Sequence, residues 1–143
     1  MENESAGFAL IAIKTEQFAL FEENYSSKKE MNVTTSLEFK INEGEKRIGV
    51  FATFTFDQTK KTFVKTQVSC HFVIDPNSWK SFIKENVIIF PKRFIGHLTM
   101  LTIGTARGVL HAKTEGTEFN KFILPVINVN ELVDKDAEFT ISI

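Results

Sequence analysis

The sequence predicts an α+β fold in which four antiparallel strands precede a short and a long helix. Three observations carry this. Period-two alternation fills Met31 to Ile41, Ile48 to Phe56 and Val64 to Ile74. Helical spacing takes over after Asp75-Pro76 and again after Pro91. No internal repeat or low-complexity linker interrupts the chain, so residues 1–143 read as one domain.

The first strand runs from Phe8 to Phe21. It is apolar on both faces, as a strand with a bulge near Lys14 to Gln17 would be. In the second, Met31, Val33, Thr35, Leu37, Phe39 and Ile41 alternate with polar residues. Asn42-Glu43-Gly44-Glu45 then has turn chemistry, and Ile48, Val50, Ala52, Phe54 and Phe56 resume the pattern, so these two strands should form a hairpin. After the polar break Asp57 to Lys61, the residues Val64, Thr66, Val68, Cys70, Phe72 and Ile74 line one face of a fourth strand. Strands met in this order suggest a meander.

Asp75 can cap a short helix with Pro76 at its first position and Trp79, Phe82 and Ile83 at helical spacing, ending near Asn86. Pro91 opens the longer helix, which runs to about Lys113, with Gly116 as its stop. Phe94, Leu98, Leu101 and Thr105 form one stripe of it, beside Ile95, Thr102, Ala106 and Val109. Gly96, Met100, Gly104 and Gly108 recur every four residues. Glycine inside a helix costs about 1 kcal/mol relative to alanine, so this row reads either as a close approach of another backbone, within or between subunits, or as plain tolerance. An apolar tail follows, with Phe119, Phe122, Ile123 and Leu124 before Pro125 and Ile127, Val129, Leu132 and Val133 after it.

The composition is globular, 43% hydrophobic and 24% charged, with 15 Phe against one Tyr and one Trp. Phe supplies area and stacking without a polar handle, which suits a core or an apolar binding surface. A net charge of −1 provides no field to attract nucleic acid. The lone Cys70 excludes an internal disulfide and a cysteine-rich metal site. Phe8 to Ile13 is too short an apolar run for a signal sequence or a membrane span. The expectation is a soluble cytoplasmic protein.

Signs of catalysis are missing. His71, His97 and His111 have no metal-ligand spacing, and neither a nucleophile elbow nor a Walker loop occurs. Gly104-Thr105-Ala106-Arg107-Gly108 lacks the preceding strand that a phosphate loop needs. Glu22-Glu23, Glu43 and Glu45 sit at strand ends and turns, where carboxylates are ordinarily solvated. No enzyme, no metal and no cofactor is expected.

Three stretches resemble the SecB family of export chaperones. Ile88-Ile89-Phe90-Pro91-Lys92-Arg93 looks like the family's Ile-Leu-Phe-Pro opening of its long helix, and Arg107-Gly108 looks like the Arg-Gly toward that helix's end. Leu124-Pro125-Val126-Ile127-Asn128-Val129-Asn130-Glu131-Leu132 is similar to the family's Leu-x-Pro-Val-Asn-Phe-Asp-x-Leu. The order of elements agrees over nearly the whole chain and the motifs over the last third. The sequence departs from the pattern at Val109 to Thr117, which is extra, at Glu118-Phe119-Asn120, which lacks the family's proline, and in its near-neutral charge.

The resemblance implies helices on one face of the sheet and a dimer of dimers with the long helices in the middle. It also implies apolar grooves that bind unfolded polypeptides. The family's groove lies between the sheet, the crossover after the first strand and the segment after the long helix; the matching residues here are Phe21, Tyr25, Phe119, Phe122 and Leu132, with Trp79 as a flank. Glu16 and Glu22 stand nearest to the acidic contact that family members offer a SecA-type translocation motor. A SecB-like module dedicated to one partner, such as an antitoxin, and a small apolar-ligand binder are the alternatives.

Overall fold

The computed structural model describes residues 6–142. Strands β1 (Phe8–Leu20), β2 (Asn32–Asn42), β3 (Arg47–Gln58) and β4 (Lys61–Ile74) form one antiparallel sheet. Their order is β1-β4-β3-β2, so the expected meander holds only for the last three. Short turns force β2, β3 and β4 side by side. The longer segment between β1 and β2 crosses the end of the sheet and leaves β1 against the far edge of β4.

Gln58 holds that crossover down. It is buried beside the β3–β4 turn, accepts from the Ser26 N–H at 2.8 Å and donates to the carbonyls of Ser26 at 2.8 Å and Lys29 at 3.1 Å. The Phe21 N–H adds a bond to the Phe63 carbonyl at 2.8 Å. The β1–β4 register shifts twice, at Ile11 and at Glu16, so the expected bulge is present and a second precedes it. Each extra residue swaps the faces of the strand, which explains the two-sided apolarity of its sequence. The β2–β3 ladder runs without a shift from Asn32↔Asp57 to Asn42↔Arg47, as a hairpin.

The even-numbered residues of β3 and β4 form the floor of the core. Ile48, Val50, Phe54, Phe56, Val68 and Phe72 are all fully buried. Helices α1 (Pro76–Ser81) and α2 (Lys92–Thr114) cover this one face. Asp75 caps α1 by accepting from the N–H groups of Asn77 and Ser78 at 3.1 and 3.2 Å. The helix stops at Ser81, well before Asn86, because the chain turns at Glu85 (φ 60°) into a small second sheet. That sheet, unforeseen in the sequence, has the order β5 (Ile83–Lys84), β6 (Val87–Phe90) and β7 (Ala137–Thr140).

On α2 the buried stripe is Ile95, Leu98, Thr102, Ala106 and Leu110, with Leu101 40% exposed. The helix is therefore turned from the predicted stripe toward the one beside it. Buried threonines are tolerated there because the hydroxyls of Thr102 and Thr114 donate back to the carbonyls of Leu98 and Leu110 at 2.9 and 2.8 Å. Gly116 takes φ +82° and stops the helix as expected. A Cβ added at Gly104 or Gly108 would meet nothing within 4 Å beyond the helix itself, and one at Gly96 would make only an ordinary 3.5 Å contact with Val129. Among the described residues, the glycine row thus has no close backbone neighbour from elsewhere in the fold.

Two apolar clusters divide the core. One joins Ile48, Cys70, Phe72, Trp79, Phe90 and Leu98; the other joins Phe54, Phe56, Phe63, Ile103, Leu110 and Phe119. The tail closes the second cluster with a 3-10 turn (Glu118–Lys121) and then continues through α3 (Val129–Leu132), which Asn128 caps, before returning to the first cluster as β7.

Candidate functional site

Tyr25, Phe119 and Phe122, distant in sequence, meet over the second cluster. The Tyr25 ring lies 4.9 Å from Phe63, 5.3 Å from Phe119 and 5.5 Å from Phe122, centroid to centroid, in tilted and edge-on arrangements. The Lys121 ammonium stands over the rings of Tyr25 and Phe122 at 5.5 and 5.3 Å. Sequence reasoning missed Phe63. It is the extra residue where the β3–β4 register shifts, and an unpaired Phe beside a polar turn was the available signal.

Depth sorts these residues. Phe119 is 1% exposed and serves as the foundation of the cluster, while Tyr25 and Phe122 are half-buried and Phe21 is 39% exposed at the start of the crossover. Trp79 is a correction. It is 5% exposed in the first cluster, edge-on to Phe90 at 5.8 Å, because the Asp75 cap turns that face of α1 into the core. A groove flank is not where it lies.

Leu132 contributes to an open groove of about 650 Å³ that runs beside β2. Thr35, Leu37 and Phe39 of β2 form one wall, and Leu132, Ala137 and Phe139 of the tail form the other. β2 is an edge strand, 11 residues long, and β7 is the edge of the second sheet. In an antiparallel pair every second residue directs its N–H and C=O away from the partner. Among the described residues nothing bonds to that outward row of β2. Asp134, Asp136 and Glu138 against Lys135 make the rim acidic.

Among the described residues, no helix covers the opposite face of the sheet. There the Ser69 hydroxyl donates to the Glu16 carboxylate at 2.6 Å and lies 2.9 Å from Nε2 of His71. With its single proton given to Glu16, Ser69 accepts from the imidazole. The His71 pKa is lowered, mainly by burial and further by the Lys14 and Arg47 charges, with Glu16 opposing. The alternation puts Lys14, Lys40, Arg47 and Lys65 on this face together with Glu16 and Glu38. Glu22 is apart from them in an exposed 3-10 turn. The two proposed motor contacts therefore do not form an acidic patch.

No helix among the described residues is long and apolar enough to cross a membrane. No protein-family model matches the chain, and no curated protein matches it in sequence. Solved structures similar to it include the following two. One is the SecB-like chaperone Rv1957 of Mycobacterium tuberculosis, solved with a ChAD peptide from the antitoxin Rv1956 HigA1, at a TM-score of 0.48 and 6% identity over 85% of this chain and 91% of that one. The other is a protein of unknown function from Streptococcus agalactiae, at a TM-score of 0.39 and 16% identity over 87% of this chain and 100% of that one.

Proposed function

We propose that this chain is a SecB-like, non-enzymatic chaperone that holds unfolded segments of other polypeptides in the groove beside β2. The observation that carries the reading is the free edge of β2 facing an apolar trough. An extended segment laid there gains main-chain hydrogen bonds whatever its sequence, and Leu37, Phe39, Leu132 and Phe139 take up its apolar side chains. At about 3.4 Å per residue, the 11 residues of β2 offer a template roughly 35 Å long. The half-buried rings of Tyr25 and Phe122 and the exposed Phe21 extend the apolar surface toward the crossover. The three SecB-like stretches support the same reading, and with them a cytoplasmic homo-oligomer built as a dimer of dimers.

The mixed charge of the open sheet face favours a second reading, a module dedicated to one partner without a SecA-type motor. Light scattering for mass, joined to a titration with a reduced, unfolded client, tests both. The general chaperone requires a tetramer that binds at micromolar or tighter affinity and suppresses client aggregation. Client peptides N-methylated along one edge should lose that binding. A monomer or dimer indifferent to clients rejects the general role and leaves the dedicated one, which in turn fails if pull-downs return many unrelated unfolded proteins.

A further inference from the structure

A second groove, of about 610 Å³, lies between the flank of α2 and the tail at Val126 to Asn130. Its apolar lining is Met100, Ile103, Val126, Ile127 and Val129. Its charged lining is of one sign: Lys92 and Arg93 at one end, Arg107 at the other, with His97 beside the first pair and no carboxylate. Asp136, close to Lys92, accepts that residue's main-chain N–H at 2.8 Å and so points its carboxylate into the start of the helix.

Arg93 and Arg107 are 14 positions apart, roughly 21 Å at 1.5 Å rise per residue. The groove thus has fixed positive charge at both ends of an apolar middle. Arg107 is held in place by donating to the carbonyls of Leu124 and Pro125 at 3.3 and 3.0 Å, which leaves the rest of its five N–H donors for an incoming group. Along the tail wall, the N–H groups of Val126, Ile127 and Asn128 have no backbone acceptor among the described residues. Val126 is 97% exposed and Met100 56%, so apolar side chains on both walls are open to solvent.

We infer that this groove is a separate binding site for an extended acidic peptide, a segment of apolar residues flanked on both sides by Asp or Glu. Positive charge at each end selects a chain with carboxylates at both ends over a fatty acid, which has one. The opening along the whole length suits a main chain that bonds to the tail as it lies beside it. The groove beside β2 has the opposite charge on its rim, so the two sites sort segments by sign. The inference goes beyond the holding of clients at β2 and does not depend on it.

Fluorescence anisotropy with two labelled peptides of the same apolar sequence, one flanked by Glu and one by Lys, tests it on the full chain. The variants are Lys92→Glu with Arg93→Glu, both exposed, and Val126→Glu, on the tail wall of the lining and off the face of α2 that a dimer of dimers would use. The Glu-flanked peptide should bind the wild type, weaken with salt, and lose roughly tenfold or more in affinity in each variant, about 1.4 kcal/mol or more. The Lys-flanked peptide and an unfolded client should lose no affinity, and the melting temperature should be unchanged. Equal loss for both peptides, no loss in either variant, or displacement of the Glu-flanked peptide by one equivalent of a long-chain fatty acid overturns the inference. An N-methylated client that binds as well as the unmodified one, with the acidic peptide behaving as expected, counts against the β2 site alone and leaves this inference standing.

Discussion

The Arg107 guanidinium donates to the carbonyl oxygen of Pro125 at 3.0 Å. This bond, with its neighbour to Leu124, joins in space two of the three stretches that resemble SecB sequences. Arg107→Lys keeps the charge but loses the fork that reaches both carbonyls. The site is partly exposed, so we expect a cost of about 1 kcal/mol in urea unfolding, with the tail loosened. An unchanged midpoint would show that the pair does not hold the tail.

Thr59 and Lys60 form the two-residue turn between β3 and β4, closed by the Gln58↔Lys61 pair, and both have positive φ, 51° and 66°. Such a turn matches the twist of the strands but suits Asn-Gly, and a β-branched residue there is strained. Thr59→Asn with Lys60→Gly should stabilise the protein by about 1 kcal/mol, read as a higher denaturation midpoint at constant slope. A lower midpoint would reject strain in this turn.

Thr66 on β4 and Thr99 on α2 are fully buried, and among the described residues neither hydroxyl has a partner. Replacing each by valine removes an unsatisfied polar group while keeping the shape of the core. Each change should raise stability by about 1 kcal/mol. A loss in both, measured by thermal unfolding, would mean that the hydroxyls are satisfied by bound water.

His71 titrates below 6.5 in the folded chain, since burial and the facing Lys14 and Arg47 disfavour its charged form more than Glu16 supports it. Between the folded value and 6.5 the unfolded chain holds more protons. The stabilising contribution is complete above 6.5 and is lost as pH falls through the folded value. His71→Asn should flatten that part of the stability profile. Parallel profiles for the two proteins between pH 7.5 and about 5 would contradict the lowered pKa.

Trp79 is the sole tryptophan and lies in the core. Its emission should be blue-shifted, unmoved by a bound client and red-shifted only on unfolding. A shift on client addition would return it to the groove.

The four strands and two main helices were legible because each has one face in the core, and a buried face prints its period on the sequence. The Asp75-Pro76 cap and the Gly116 stop were legible because local chemistry decides them. The position of β1 was not, since its partner is chosen by the crossover and by Gln58, a contact across 32 residues. The second sheet was hidden for a different reason: β5 has two residues, β7 four, and neither is long enough to show a period. Sequence and resemblance together singled out Tyr25, Phe119 and Phe122, whose rings lie against one another, and Leu132, which lines the groove beside β2. They could not rank them by depth, because an aromatic residue looks the same in sequence whether it forms the foundation of a cluster or its surface.

The two edges of the main sheet differ. β1 carries two bulges, and β2 carries none in its ladder. Growth of an aggregate by strand addition needs a molecule that accepts a strand on one side and presents an equivalent one on the other. Here the β1 side is irregular, so a strand added at β2 finds no matching template beyond it. Two copies meeting β2 to β2 would close on each other as a symmetric pair and leave nothing to extend. A protein built this way can keep a long sticky edge in water and still act as a chain terminator, not a seed, for strand-by-strand growth.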